Sequence, residues 1–182
     1  SNYNVGIGNY AMDAAMDGAL GNTALGHNTL GALTTADNNV VIGALAADAL
    51  LTGEGNTVMG KGALGTSTVG TRMVAAGWGA MGGAAVTADA IGGIGIGFEA
   101  LNALTEGIGN VAIGYQSQDA NVTGDYNTSV GTSALGALNV DGDAFNTAVG
   151  YQSLLANTTG VQNTAVGAGS GIAMTKGRYN TA

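Results

Sequence analysis

"NTAVGYQSLLANTTGVQNTAVG", residues 146–167, opens and closes on the same five letters, seventeen residues apart. A self-repeat of that period decides the fold before any motif is weighed, because repeat arrays are built by stacking one small unit on the next. Anchored on its last glycine, the pentamer recurs at Gly8, Gly26, Gly43, Gly60, Gly77, Gly97, Gly114, Gly131, Gly150 and Gly167. The steps are 18, 17, 17, 17, 20, 17, 17, 19 and 17 residues. The sequence starts inside one copy, Asn4-Val5-Gly6-Ile7-Gly8, and ends on Asn180-Thr181-Ala182. Residues 1–182 are therefore expected to form a single repeat array, cut at both ends from a longer fibrous protein.

Composition narrows the class. Gly makes up 34 of 182 residues and Pro is absent, which excludes collagen. Hydrophobic residues at 46% and charged residues at 9% exclude disorder. No apolar run reaches the roughly 18 residues of a membrane span, so membrane insertion is not expected. Zero Cys removes disulfides and thiolate metal sites. A net charge of −8 argues against nucleic acid as a partner, since its binders carry basic patches.

Within the pentamer, place two is β-branched in every copy, from Val5 and Thr23 to Thr164 and Thr181. Place four is mostly large and aliphatic: Ile7, Leu25, Ile42, Met59, Ile96, Ile113, Val130, Val149 and Val166. Place three is usually Gly, Ala or Ser. Alternating β-branched residues read as a strand, with places two and four on one face and one and three on the other. A coil of about 17 residues encloses little volume, so the small place three is expected inside. A second small residue follows each anchor by three, as at Ala46, Ala63 and Ser117, and is usually followed by Leu or Met. Each coil then reads as two short strands closed by turns. Gly18, Gly53, Gly70, Gly107, Gly124, Gly160 and Gly177 mark the far turn, where glycine accepts positive φ. The fold class expected is all-β, a parallel β-solenoid of about ten coils of 17–20 residues. Coils should ladder about 4.8 Å apart over about 50 Å, with 146–149 in register on 163–166.

With place three inward, place four forms a hydrophobic strip along the array. Monomers rarely expose such a strip, and the simplest cover is the same chain in a closed oligomer. Ile7, Leu25, Ile42, Ile96, Ile113, Val130, Val149 and Val166 are the expected interface.

Asn110-Val111-Ala112-Ile113-Gly114 resembles the repeat core of YadA-like heads in trimeric autotransporter adhesins. "NTAVGYQSL" at 146–154 resembles phage tail-fibre repeats even more closely. The resemblance implies a left-handed β-roll, a homotrimer, and an extracellular role as a virion tail-fibre shaft presenting or carrying a receptor-binding tip. The alternative it implies is a bacterial surface adhesin head binding a host or matrix surface. Adhesin heads have shorter repeats, which favours the fibre.

Asn occupies place one in nine of eleven copies and reads as a stacked corner residue bonding backbone and its own counterparts above and below. The other apparent motifs read as structural. Gly77-Trp78-Gly79-Ala80-Met81-Gly82 matches G-x-G-x-x-G without a βαβ context. Asp141-Gly142-Asp143 lacks a calcium-loop pattern. His27 has no nucleophile to pair with, and "ALAADALL" at 44–51 is too interrupted by Gly for a helix. Neither cofactor nor metal is expected, and the chain is not expected to be an enzyme. A depolymerase-like spike would need a carboxylate pair breaking the array. An ice-binding solenoid would need a dedicated Thr face, whereas Thr alternates here with Val and Ile. The two long steps, Gly82–Gly92 and Ala137–Ala144, are expected to leave as edge loops. Trp78, Tyr115 and Tyr151 beside them are the candidate contacts to a cell-surface glycan or protein receptor.

Overall fold

The computed structural model describes residues 3–88 and 90–182. It is all-β, with twelve three-residue strands: β1 (Val5–Ile7), β2 (Thr23–Leu25), β3 (Val40–Ile42), β4 (Thr57–Met59), β5 (Val74–Ala76), β6 (Ile94–Ile96), β7 (Val111–Ile113), β8 (Thr123–Asp125), β9 (Thr128–Val130), β10 (Asp141–Asp143), β11 (Thr147–Val149) and β12 (Thr164–Val166). Ten of them form one parallel sheet in chain order, β1-β2-β3-β4-β5-β6-β7-β9-β11-β12, a solenoid of about nine turns. Register is kept throughout: Thr147 lies opposite Thr164, Ala148 opposite Ala165 and Val149 opposite Val166. Place three is buried in every strand from β2 to β12 of this sheet, and places two and four face out.

The anchor glycine closes each strand at φ between +130° and +140°. A Cβ on Gly43 would stand 2.6 Å from the Gly60 carbonyl oxygen of the next coil. The column is therefore glycine because backbone lies directly on backbone, as well as because of its φ.

The far side of the coil differs from the two-strand expectation. The segment just after the anchor is a continuous turn in which the residues two and four after each anchor are left-handed, as at Asn28 and Leu30 (φ 52° each) or Ser133 and Leu135 (53° and 52°), and a second parallel strand pair, β8 with β10, forms farther along the coil. This alternation aims successive amides at both neighbours: Asn28 N–H donates to Asn9 O in the preceding coil and Leu30 N–H to Ala46 O in the following one. The conformation costs an ordinary residue about 1–2 kcal/mol. Burial of a Leu side chain, worth about 1.5–3 kcal/mol, offsets it, and Leu30, Leu64, Leu101, Leu135 and Leu154 are all fully buried there. A further inward column, seven after the anchor, holds Leu33, Leu50, Leu104 and Leu138.

The far-turn glycines also need a different reason. Gly53, Gly107 and Gly160 do not have positive φ. They sit where a Cβ would meet the carbonyl of Gly70, Gly124 or Gly177 in the next coil. Ala19, Ala36 and Ala90 fill the same buried column, so its requirement is small size. Gly18, at φ +86°, lies one residue outside it.

Place-one asparagines form a buried ladder. Asn39 Nδ2 donates to Asn22 Oδ1 (3.0 Å) and to Gly53 O (2.9 Å), while Asn39 Oδ1 accepts from Asn56 N–H at 2.9 Å. The Asn-to-Asn bonds continue from Asn110 through Asn127, Asn146 and Asn163 to Asn180, while Asn127 and Asn180 turn their remaining N–H to Asp125 O and Arg178 O. Met73 and Gly93 interrupt the ladder, and Gly93 N–H turns to Met73 Sδ instead.

The two long steps do not leave as free loops. Asp141 lies opposite Thr123, and Thr147 opposite Thr128. One of the two extra residues therefore enters before Asp141 and the other between Asp143 and Thr147. At the second point Ala144 and Phe145 N–H both reach Asp125 O, a bulge that absorbs one residue without losing register. In the longer step Ile91 is already bridged to Thr71, so its three extra residues enter before Ile91. Val86 and Ala90 there are buried, leaving Gly83, Ala85 and Ala88 outside. Asp89 of this segment lies outside the described residues.

Candidate functional site

Two surfaces carry chemistry that the fold itself does not use. The first is the outward face of the ten-stranded sheet. Ile7 (59%), Leu25 (44%), Ile96, Ile113 (36%) and Val166 (63%) are exposed along it, with Ile42, Val130 and Val149 half-buried. Met59 and Val40 extend the exposed row, and Ala76 narrows it in the middle. In-register pairing sets each aliphatic residue directly above the last, so the eight expected interface residues do lie in one strip. They are brought together by the sheet, since strand residues two apart share a face.

The second surface is the column just after the anchor glycine. Trp78 and Tyr115 stand there two coils apart, with Phe98 between them. Trp78 and Phe98 meet edge-on with ring centroids 5.8 Å apart. Phe98 and Tyr115 stack at 5.2 Å, and Lys61 Nζ lies 5.0 Å from the Trp78 centroid. Tyr151 is in the same column, but Thr132 separates it from Tyr115. The structure thus joins two of the three aromatic candidates through a residue the sequence reading did not single out. A second stack, Tyr126 on Phe145 at 5.2 Å, was equally unannounced. Both its members precede the place-one Asn, in left-handed conformation.

The remaining motifs fall into the architecture. Ala80 and Met81 of the glycine-rich hexamer are core residues. His27 is exposed and contacts the edge of Tyr10. Asp141–Asp143 forms β10, and its Asp141 and Gly142 line an open recess of about 330 Å³ with Glu106, Thr123 and Asp125. Two of its carboxylates are engaged: Asp125 Oδ1 accepts from Ile108 N–H and Asp141 Oδ1 from the Thr123 hydroxyl, both at 2.7 Å. Among the described residues no group of three or more acidic, His or Cys side chains is arranged to hold a metal ion. Partial burial raises the Asp48 and Asp119 carboxyls above their ordinary range, against the lowering effect of their backbone hydrogen bonds, and Glu99 adds to the rise at Asp119.

Compared with family models, curated proteins and solved structures, the chain matches none. No helix among the described residues is long and apolar enough to cross a membrane. The candidate surfaces therefore stand on their own geometry.

Proposed function

We infer that this chain is a rigid segment of an extracellular adhesive fibre, three copies packed through the outward faces of their ten-stranded sheets. The observation that carries the reading is the aliphatic strip, which runs along ten in-register strands and leaves Ile7, Leu25, Met59, Ile96, Ile113 and Val166 exposed. Burying such side chains is worth about 1.5–3 kcal/mol each before entropy is subtracted, which favours association along the whole rod. Three chains and a left-handed roll come from the resemblance of the NTAVG repeats to tail-fibre and YadA-like sequences. A phage tail-fibre shaft, presenting or carrying a receptor-binding tip, fits the 17-residue step best. An adhesin head on a bacterial surface is the second reading, favoured by the Asn110–Gly114 copy. A structural role rather than catalysis fits an interior filled by repeating columns.

The test is Ile96→Asp combined with Ile113→Asp. Each would place an unpaired carboxylate in a desolvated interface, at a cost of several kcal/mol. Loss of assembly with the β-sheet circular dichroism retained is expected. Wild-type assembly by the double variant would put the interface elsewhere.

A further inference from the structure

Lys61, Trp78, Phe98 and Tyr115 occupy one place in four successive coils and touch in sequence through the contacts given above. Trp78 is 60% and Tyr115 49% exposed, although core volume is filled without them. The residues immediately following are Gly62, Gly79, Glu99 and Gln116. The first two carry no side chain, leaving open floor beside Lys61 and Trp78. The last two form a planar polar pair, Gln116 Nε2 donating to Glu99 Oε2 at 2.9 Å. Aromatic carbon in a line, flanked by a planar amide and carboxylate, matches the two-sided chemistry of a sugar chain, whose C–H faces pack on rings and whose hydroxyls need polar partners.

We propose that this ridge binds an extended, neutral, β-linked glycan laid along the solenoid axis, with about one sugar ring to each coil. Coils advance by about 4.8 Å, close to the length of one sugar unit in such a chain. A neutral glycan is selected because Lys61 and Glu99 leave the ridge itself without net charge and the chain's net charge of −8 repels a polyanion. The proposal deepens the fibre reading by naming a surface the fibre would meet, yet every residue of the ridge comes from one chain.

Trp78 is the single tryptophan, so its emission, excited at the red edge where tyrosine does not absorb, reads this surface alone. The assembled protein is titrated with cellohexaose and chitohexaose, with maltohexaose and an oligogalacturonate as coiled and anionic controls. A saturable change is expected with at least one β-linked hexasaccharide, and weaker binding of both controls. Phe98→Ala and Tyr115→Ala, which keep the reporter, should each weaken binding about tenfold. Phe145→Ala, in the other exposed stack, should leave it unchanged. The proposal is overturned if neither β-linked hexasaccharide gives a saturable signal by fluorescence or calorimetry. It is equally overturned if the ridge variants bind like wild type, or if the anionic control binds tightest. Molar mass measured on the same samples keeps the two readings apart: a trimer that ignores both sugars sinks the glycan site and leaves the fibre, and a monomer that binds them does the reverse.

Discussion

The coil that starts at Gly26 and the coil that starts at Gly114 have one backbone and two interiors. The first encloses Thr29, Leu30, Leu33, Ala36 and Val41; the second encloses Ser117, Gln118, Asn121, Gly124 and Ser129. Both are seventeen residues long, and their paired left-handed positions agree closely, at 52° and 52° against 49° and 50°. The apolar core running from Met12 to Ala112 stops at the second coil and resumes at Ala134. Backbone geometry is thus set by what the coils share: the anchor glycine, the Asn ladder and the coil-to-coil amide bonds. The filling can change chemistry, provided a whole layer changes together. Gln118 Nε2 donates to Val111 O (3.0 Å) and Ser129 Oγ (2.9 Å), and Asn121 holds the far turn by accepting from Gly124 N–H (3.0 Å). Among the described residues no buried side-chain nitrogen or oxygen lacks a partner.

The comparison breaks first if the fillings prove interchangeable singly. Leu30→Gln puts an amide into a layer built for an alkyl chain. It should cost about 3–5 kcal/mol, from lost packing plus an unsatisfied polar group, read by urea unfolding of the assembled protein. A cost under about 1 kcal/mol would mean the layers are not specific. The reciprocal Gln118→Leu should cost less, about 1–3 kcal/mol, because it takes a hydrogen-bond partner from Ser129 Oγ and from Asn121 Nδ2 while supplying apolar volume. Adding Ser117→Ala and Ser129→Ala should recover much of that loss, and failure to recover would refute the layer argument.

The shared ladder gives the next test. Asn39→Ala and Asn127→Ala lie in the aliphatic and polar regions, yet each removes the same Asn-to-Asn bonds and one side-chain bond to a carbonyl, that of Gly53 or of Asp125. Both should cost about 1–3 kcal/mol and agree with each other more closely than the two filling variants do. A large difference would tie the ladder's worth to the core around it.

The smallest effect expected is a gain. Burial raises the Asp119 pKa above its unfolded value of 3.8, so the folded state is penalised when the group ionises. The penalty is full above the folded pKa and vanishes below the unfolded one. Asp119→Asn should therefore stabilise slightly at neutral pH, with the gain fading as pH falls through the folded pKa. Destabilisation at pH 7 would show that the backbone hydrogen bonds of Asp119 outweigh its burial.

Much of this was legible in the sequence, for definite reasons. Place three had to be small because the coil is narrow, and the in-register ladder of 147–149 on 164–166 followed from the identical pentamers. The Asn column announced itself by recurrence. The far side did not, because Leu30 and Leu101 have no intrinsic taste for left-handed φ; only burial and coil-to-coil bonds impose it. The seventh column was hidden because Leu33 and Leu50 give way to Asn121 and Asn157, chemically unlike but serving one position. Step lengths located the extra residues but not their division into two entries, which depends on where a bulge can form. The aromatic ridge was half visible: Trp78, Phe98 and Tyr115 share one column in the sequence, but that column also holds His27, Lys61 and Thr132, and nothing in it marks Phe98 as the ring that joins the other two.

The proposal that this rod is one third of its working assembly is tested most directly by its mass in solution. Sedimentation equilibrium on the wild-type chain at micromolar concentration should give three times the 17.6 kDa chain mass, unchanged on dilution. A folded, β-rich species of 17.6 kDa with its aliphatic strip open to water would contradict it.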